Sequence, residues 1–319
     1  MAEFDLIAQY FTRPGTADVS NPDLGIGDDA ALISVMPGYQ LAVSADMSVS
    51  GTHFFAEADP YSIGWKALAV NISDMAAMGA NPKWATLSIA LPEINHDWLQ
   101  GFSQGLFACA DNYGVLVIGG DTTRGPLNIA INILGEVPLG KAIKRSGAQV
   151  GDDIWVSGTL GKAALWLQNK LGKLDLHAED VANFAPAMHQ PQPRVTLGLA
   201  LRDIAHTALD ISDGLLADLN HILQASGKGA ELDWALFSKP QLVNNIAQSV
   251  LQQAVLAGGD DYELCFTVSA QRRDEVLALS DKLNLPLTRI GSITEATGLN
   301  VTDGEVQIEL SQKGYLHFG

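Results

Sequence analysis

Apolar positions along the chain fall into two spacings. Phe4, Ile7, Tyr10 and Phe11 recur at helical steps, which predicts a short amphipathic helix at the start. LAVSADM (41–47) predicts a strand running into a polar end. Residues 59–79, DPYSIGWKALAVNISDMAAMG, open on Asp and Pro, close on Gly79 and precede Pro82; these are helix start and stop signals. WATLSIAL (84–91) predicts a strand and HDWLQGFSQGLFACADNYG (96–114) a helix. VLVIGG (115–120) and LNIAINILGEV (127–137) predict two further strands.

Between residues 138 and 150 the pattern breaks into glycines, a proline and a local basic cluster. That texture predicts a boundary between a first domain, 1–140, and a second, 141–319. The second half resumes with strand DIWVSG (153–158), a helix after Gly161, the punctuation QPQPR (190–194) and helix VTLGLALRDI (195–204). Strand HTALDIS (206–212), helix GLLADLNHILQAS (214–226), strand YELCFTV (262–268), helix RDEVLALSDKL (273–283) and terminal strands complete it. Strands and helices alternate in both halves, which predicts α/β layering.

Composition narrows the picture. A chain of 319 residues suits two domains, and 47% hydrophobic against 17% charged residues can bury a sizeable core. Asp and Glu number 36 against 19 Lys and Arg, a formal charge of -17. That balance argues against nucleic acid or an anionic membrane as the main partner, since both require basic patches. The start, MAEFDLIAQYF, lacks the basic lead and apolar core of a signal peptide, and no stretch approaches the ~18 apolar residues of a membrane span. Cys109 and Cys265 predict two buried reduced thiols and, with the rest, a cytoplasmic protein.

The carboxylates recur in one kind of place. Asp28 and Asp29 lie in the glycine turn GIGDDAAL (25–32). Asp46 ends a predicted strand beside Ser44 and Ser48, and Asp74 shares a helix face with Asn71. Asp121 follows Gly119 and Gly120; Asp210 and Asp213 flank Ser212; Asp260 and Asp261 follow Gly258 and Gly259, with Glu263 two residues on. A single Gly-Asp pair is ordinarily a turn or cap, and GDD at 151–153 reads so, as would Asp213 taken alone. Repetition beside glycine at strand ends, where α/β sheets form ligand sites, points instead to cations among the carboxylates. The donors are all oxygens, which suit Mg²⁺, Mn²⁺ or Ca²⁺; no Cys/His group has zinc spacing.

Such ions keep positions for water and phosphates, so a nucleotide is the natural partner. Lysine-loop signatures fail: in SGTLGKAA (157–164), Val156 stands where a P-loop's first glycine belongs and Ala163 where Ser or Thr belongs. The protein-kinase motifs are missing as well.

GIGDDAAL, SADMSVSGTHF, NISDMAAMGA, GGDTTRG, LDISDGLLADL and GGDDYELCF, in this order, resemble the thiamine-monophosphate kinase family of the aminoimidazole-ribotide-synthetase-like superfamily, from EFDLI to GYLHF. Selenophosphate synthetase shares the architecture but carries a reactive Cys or selenocysteine near its N-terminus, and this chain has no Cys before Cys109. The resemblance implies a two-domain fold with mixed sheets packed against helices in each domain, N-terminal domains that pair into a homodimer, and a C-terminal domain completing the active site. It implies transfer of the ATP γ-phosphoryl group to thiamine monophosphate, in line and assisted by several Mg²⁺ (or Mn²⁺), giving thiamine diphosphate as the last step of its biosynthesis. By resemblance Asp28, Ser44, Asp46, Asp74, Asp121, Asp210 and Asp213 are metal positions. Gly120, Asp121, Arg145 and Ser212 are nucleotide positions, and His53, Glu263 and Phe318 are substrate positions.

The chemistry is coherent with those residues. A phosphate monoester, second pKa ~6, is its own nucleophile near neutrality and needs no dedicated general base. Two dianions ~4 Å apart repel by ~16 kcal/mol at an effective dielectric of about 20, which one arginine cannot offset and several divalent cations can. A rival superfamily activity and a non-catalytic Mg·ATP-binding regulator are the competing readings; product identity separates them.

Overall fold

The computed structural model describes residues 3–13, 22–310 and 314–315. Its chain divides into two compact units, Met1–Met75 with Ala80–Gly140, and Ala76–Gly79 with Lys141–Gly319.

The first unit holds α1 (Glu3–Tyr10), β1 (Tyr39–Val49), most of α2 (Pro60–Ala77), β2 (Asn81–Leu91), α3 (His96–Tyr113), β3 (Leu116–Arg124) and β4 (Asn128–Pro138). The strands form one sheet in the order β1-β4-β2-β3. β2 and β3 run parallel, and the other pairs are antiparallel. Period-two alternation sorts the faces. Leu87, Ile89 and Leu91 of β2 and Ile129, Ile131 and Ile133 of β4 are buried on one face. On the other face Val43 and Met47 of β1 remain 62% and 56% exposed, flanked by exposed Tyr39 and Leu41. α3 starts on Asn95, whose side chain accepts the Trp98 N–H, and stops on Gly114 in the left-handed region.

The second unit holds β5 (Asp152–Ser157), α4 (Lys162–Lys170), α5 (Ala178–His189), α6 (Val195–Leu201), β6 (Thr207–Asp210), α7 (Leu215–Ser226), β7 (Gly229–Asp233), α8 (Gln248–Ala257), β8 (Leu264–Ser269), α9 (Arg273–Leu283), β9 (Leu287–Thr294), β10 (Gly298–Asp303) and β11 (Val306–Gln307). The seven strands make a mixed sheet in the order β11-β10-β7-β9-β5-β8-β6. Both faces are covered. Ile154, Val156, Leu209 and Cys265 pack with Leu215, Leu219 and Ile222 of α7. Trp155, Ala208, Leu264 and Phe266 pack with Leu197 and Leu201 of α6 and Val276 of α9. Strands apolar on both faces are the mark of such a layered core.

Several sequence expectations shift. β1 extends to Val49 and β3 to Arg124, so Asp46 and Asp121 lie inside strands rather than at their ends. β8 begins at Leu264 and not at Tyr262, because Asp260 and Tyr262 have φ of 67° and 50°, which an extended strand cannot contain. GDD at 151–153 is more than a turn. Gly151 turns at φ 86°, but Asp152 and Asp153 are buried in β5. Asp153 is held by Arg273 and Arg289, and Asp152 by His206. Elements α5, β7 and α8 escaped the sequence reading: α5 carries Pro186 near its end, β7 has five residues, and α8 starts without a side-chain cap. Cys109 and Cys265 are buried free thiols, their pKa pushed far up by burial. No described helix is long and apolar enough to cross a membrane.

Candidate active site

In the first unit two of the acidic positions, Asp46 and Asp74, come together where β1 lies beside α2. Ser44 Oγ donates to Asp74 Oδ2 at 2.5 Å, and the Asp46 N–H donates to Asn71 Oδ1 at 3.1 Å. Asn71 is itself oriented by its Nδ2–H on the Ala67 carbonyl at 2.9 Å. Two helix residues three apart thus hold two strand residues two apart, the match expected between an i, i+3 helix face and one strand face. Lost hydration and the negative charge of Asp74 push the Asp46 carboxyl up to about 6, although part of its side chain stays in solvent. A like-charged carboxylate pair of this kind is relieved by a cation.

GIGDDAAL closes into a small loop because Leu24 and Leu32 exchange two backbone hydrogen bonds, of 3.2 and 2.9 Å. Asp28 Oδ1 accepts the Asp29 N–H at 3.0 Å, and both residues are exposed. His53 follows β1, and its Nδ1 accepts the Val49 N–H at 3.0 Å, which leaves the ring proton of neutral imidazole on Nε2.

Register separates Asp121 from Asp46. Asp46 pairs with Ile131, Ile131 with Leu87 and Leu87 with Gly120, so Asp46 lies in register with the face on which Ile131 and Leu87 are buried. Asp121 pairs with Ser88 and, through Ala130, with Met47 on the exposed face. β1 and β3 are also opposite edges, three strand spacings or ~14 Å apart. Within this unit the two carboxylates therefore do not meet. Gly120, at φ 148°, has no room for a side chain: a Cβ would sit 1.7 Å from the Leu87 carbonyl oxygen.

In the second unit two acidic motifs are knitted together beyond the paired strands β6 and β8. The Ile211 N–H bonds the Glu263 carbonyl, the Tyr262 N–H bonds Ile211, and the Asp260 N–H bonds Ser212, at 2.8, 2.8 and 2.9 Å. Asp210 is buried at the end of β6. α7 starts on Gly214, not on Asp213, and the capping carboxylate comes from inside the helix. Asp218 Oδ2 accepts the N–H groups of Ser212, Asp213 and Gly214 at 3.0, 3.0 and 3.1 Å. Burial and the charge of Asp213 push the Asp218 carboxyl up to about 6 against those three donors.

Glu263, 7% exposed, receives Arg194 in a two-pronged ion pair and the Ser157 hydroxyl at 2.5 Å. Asp261 accepts the Gly161 N–H at 2.9 Å; its carboxyl is raised well above the ordinary range, chiefly by burial, then by Glu263 and Asp260. Arg145 is exposed, in a segment whose neighbouring Gly147 and Ala148 N–H groups both bond Ser226 Oγ at 3.1 Å. Phe318 lies outside the described residues.

Among the described residues no three His, Cys, Asp or Glu side chains converge to hold an ion unaided. Mg²⁺ does not require that: it is bound by one or two carboxylates, with water and phosphate oxygens completing its shell. Ser44, Asp46 and Asp74 form an oxygen-only donor set of that size, and the residues fit such an ion. Asp218 and Arg194 were not singled out from the sequence; the ADL of LDISDGLLADL was visible, but nothing local shows that its Asp folds back over six residues.

Fold and motifs define a class of protein. Residues 27–137 match the AIR synthase related protein, N-terminal domain, and residues 149–304 match the AIR synthase related protein, C-terminal domain. Within that class the chain belongs to the thiamine-monophosphate kinase family. It is 44% identical to the thiamine-monophosphate kinase of Salmonella typhimurium over 319 residues, covering 99% of this chain and 98% of that protein. The solved thiamine-monophosphate kinase of Stenotrophomonas maltophilia superposes with a TM-score of 0.83 at 48% identity, over 87% of this chain and 90% of that one. AaThiL, solved in complex with AMPPCP and TMP, superposes with a TM-score of 0.76 at 28% identity, over 89% of each chain.

Proposed function

We infer that the protein transfers the γ-phosphoryl group of ATP to thiamine monophosphate, giving thiamine diphosphate, by direct in-line displacement. The observation that carries this is the end-to-end match to thiamine-monophosphate kinases. A relative solved with AMPPCP and TMP supports ATP and thiamine monophosphate as the two ligands.

Divalent ions, Mg²⁺ or Mn²⁺, would be held by Asp28, Ser44, Asp46, Asp74 and Asp121 in the first unit and by Asp210 and Asp213 in the second, with Asp29 adjacent to Asp28. Bound there, they would neutralise and align the two phosphate groups. Asn71 and Ser44 orient the Asp46–Asp74 pair. Gly120 lets backbone approach closely beside Asp121, and Ser212 and Arg145 contact the nucleotide. His53, Glu263 and Phe318 contact thiamine monophosphate, Glu263 acting with its Arg194 partner. No side chain is needed to take a proton from a phosphate that is already ionised.

The exposed apolar β1 face, Tyr39, Leu41, Val43 and Met47, supports a homodimer through the N-terminal units. Two buried free thiols fit a reducing, cytoplasmic setting. Product analysis with ATP, thiamine monophosphate and Mg²⁺ tests the reading. Thiamine diphosphate that appears with Mg²⁺ and vanishes with chelator is expected; ADP without that product, or product unaffected by chelator, overturns it.

A further inference from the structure

The start of α7 has the form of an anion site, with three consecutive N–H groups turned toward one point. In nucleotide-binding loops a phosphate takes such donors. Here a carboxylate of the same helix takes them. Every other backbone group of the turn is also used. Ile211 N–H bonds Glu263, and the carbonyls of Ile211, Ser212 and Asp213 accept from Tyr262, Asp260 and Tyr315. The Gly214 carbonyl accepts the Asp218 N–H at 3.0 Å. Gly214 itself is pressed on the end of α8, where a Cβ would lie 2.8 Å from the Ala257 carbonyl. From Ile211 to Gly214 every backbone N–H and carbonyl is thus already bonded within the protein. At the glycine-rich start of α4 a single N–H, that of Gly161, is likewise taken by a carboxylate, the distant Asp261.

We propose that Asp218 is a positioning residue for the phosphoryl transfer: it fills the amide cradle of α7 with the protein's own anion, so the Ser212–Gly214 turn presents only side chains and reaches phosphate through metal. The inference rests on Ser212 and Asp213 being ligand contacts. Removing the carboxylate has two separable effects. The turn loses its anchor, which weakens metal held by Asp213. The freed N–H groups become able to bind an anion directly.

The test uses the full-length protein with Asp218→Ala, Asp218→Asn and Asp213→Asn. Amide hydrogen exchange at Ser212, Asp213 and Gly214, the Mg²⁺ concentration for half-maximal turnover, and inhibition by inorganic phosphate are measured on each. In Asp218→Ala, exchange at the three amides rises about tenfold or more, the scale of one lost charge-assisted hydrogen bond. Its Mg²⁺ requirement rises about tenfold, and phosphate competes with ATP as it does not in the natural protein. Asp218→Asn, whose amide oxygen still accepts, recovers most of the exchange protection. Unchanged exchange and Mg²⁺ requirement in Asp218→Ala overturn the proposal, even if Asp213→Asn is impaired. Full activity of Asp213→Asn overturns instead the reading of Asp213 as a ligand, and the exchange data then decide alone whether Asp218 holds the turn. If both Asp218 variants fail to fold, the carboxylate holds the domain rather than the turn, and the proposal falls.

Discussion

Asp46→Asn should stabilise the metal-free protein near pH 8 while abolishing turnover. The Asp46 carboxyl is raised from 3.8 to about 6 by lost hydration and by Asp74. A shift of that size corresponds to ~3 kcal/mol. Part of the side chain remains in water, so screening reduces this to ~1 kcal/mol. The sign follows from linkage. The folded protein binds this proton more tightly than the unfolded chain, so the ionised carboxylate is a liability above pH about 6, shrinking toward zero as pH falls through the unfolded value of 3.8. Asn removes that liability and keeps the volume. Thermal unfolding with chelator should show a Tm gain of ~2–4 °C at pH 8 that disappears near pH 4. Added Mg²⁺ should raise the Tm of the natural protein at pH 8 and move the variant less, because ion binding stabilises only a state that holds the ion. A variant less stable than the natural protein at pH 8, or a gain as large at pH 4 as at pH 8, would refute the argument and make Asp46 a structural residue.

In β5, burial pushes the Asp153 carboxyl up, but the Arg273 and Arg289 guanidiniums outweigh it and hold the carboxyl below its ordinary value. This stabilisation is therefore complete above the unfolded carboxylate pKa of ~3.9 and is lost as pH falls through the lower folded value. Asp153→Asn should cost ~3 kcal/mol in urea unfolding at pH 7, with the deficit shrinking in acid; a deficit independent of pH would contradict the ion-pair account. Gly120→Ala should unfold or grossly weaken the first unit, by more than ~3 kcal/mol, since its Cβ would lie 1.7 Å from the Leu87 oxygen; a variant with native circular dichroism and Tm would disprove that packing.

Sequence alone determined the alternation of strands and helices and the order of the acidic motifs. These are local properties, carried by periodicity, glycine and residue type within a dozen positions. Tertiary structure alone decided which carboxylates meet. Asp46 feels the charge of Asp74 because Ser44 and Asp46 of β1 bond Asp74 and Asn71 of α2, whereas Asp121, alike in sequence context, stands on the other face and edge of the same sheet. GDD at 151–153 looked like the other motifs and proved to be an ion-paired strand, because Arg273 and Arg289 arrive from 120 and 136 residues away. Asp218 looked like any helical Asp and proved to hold a turn. A carboxylate's role depends on which positive charge or N–H group lies within ~3 Å of it, and long-range pairing, not neighbouring sequence, sets that distance.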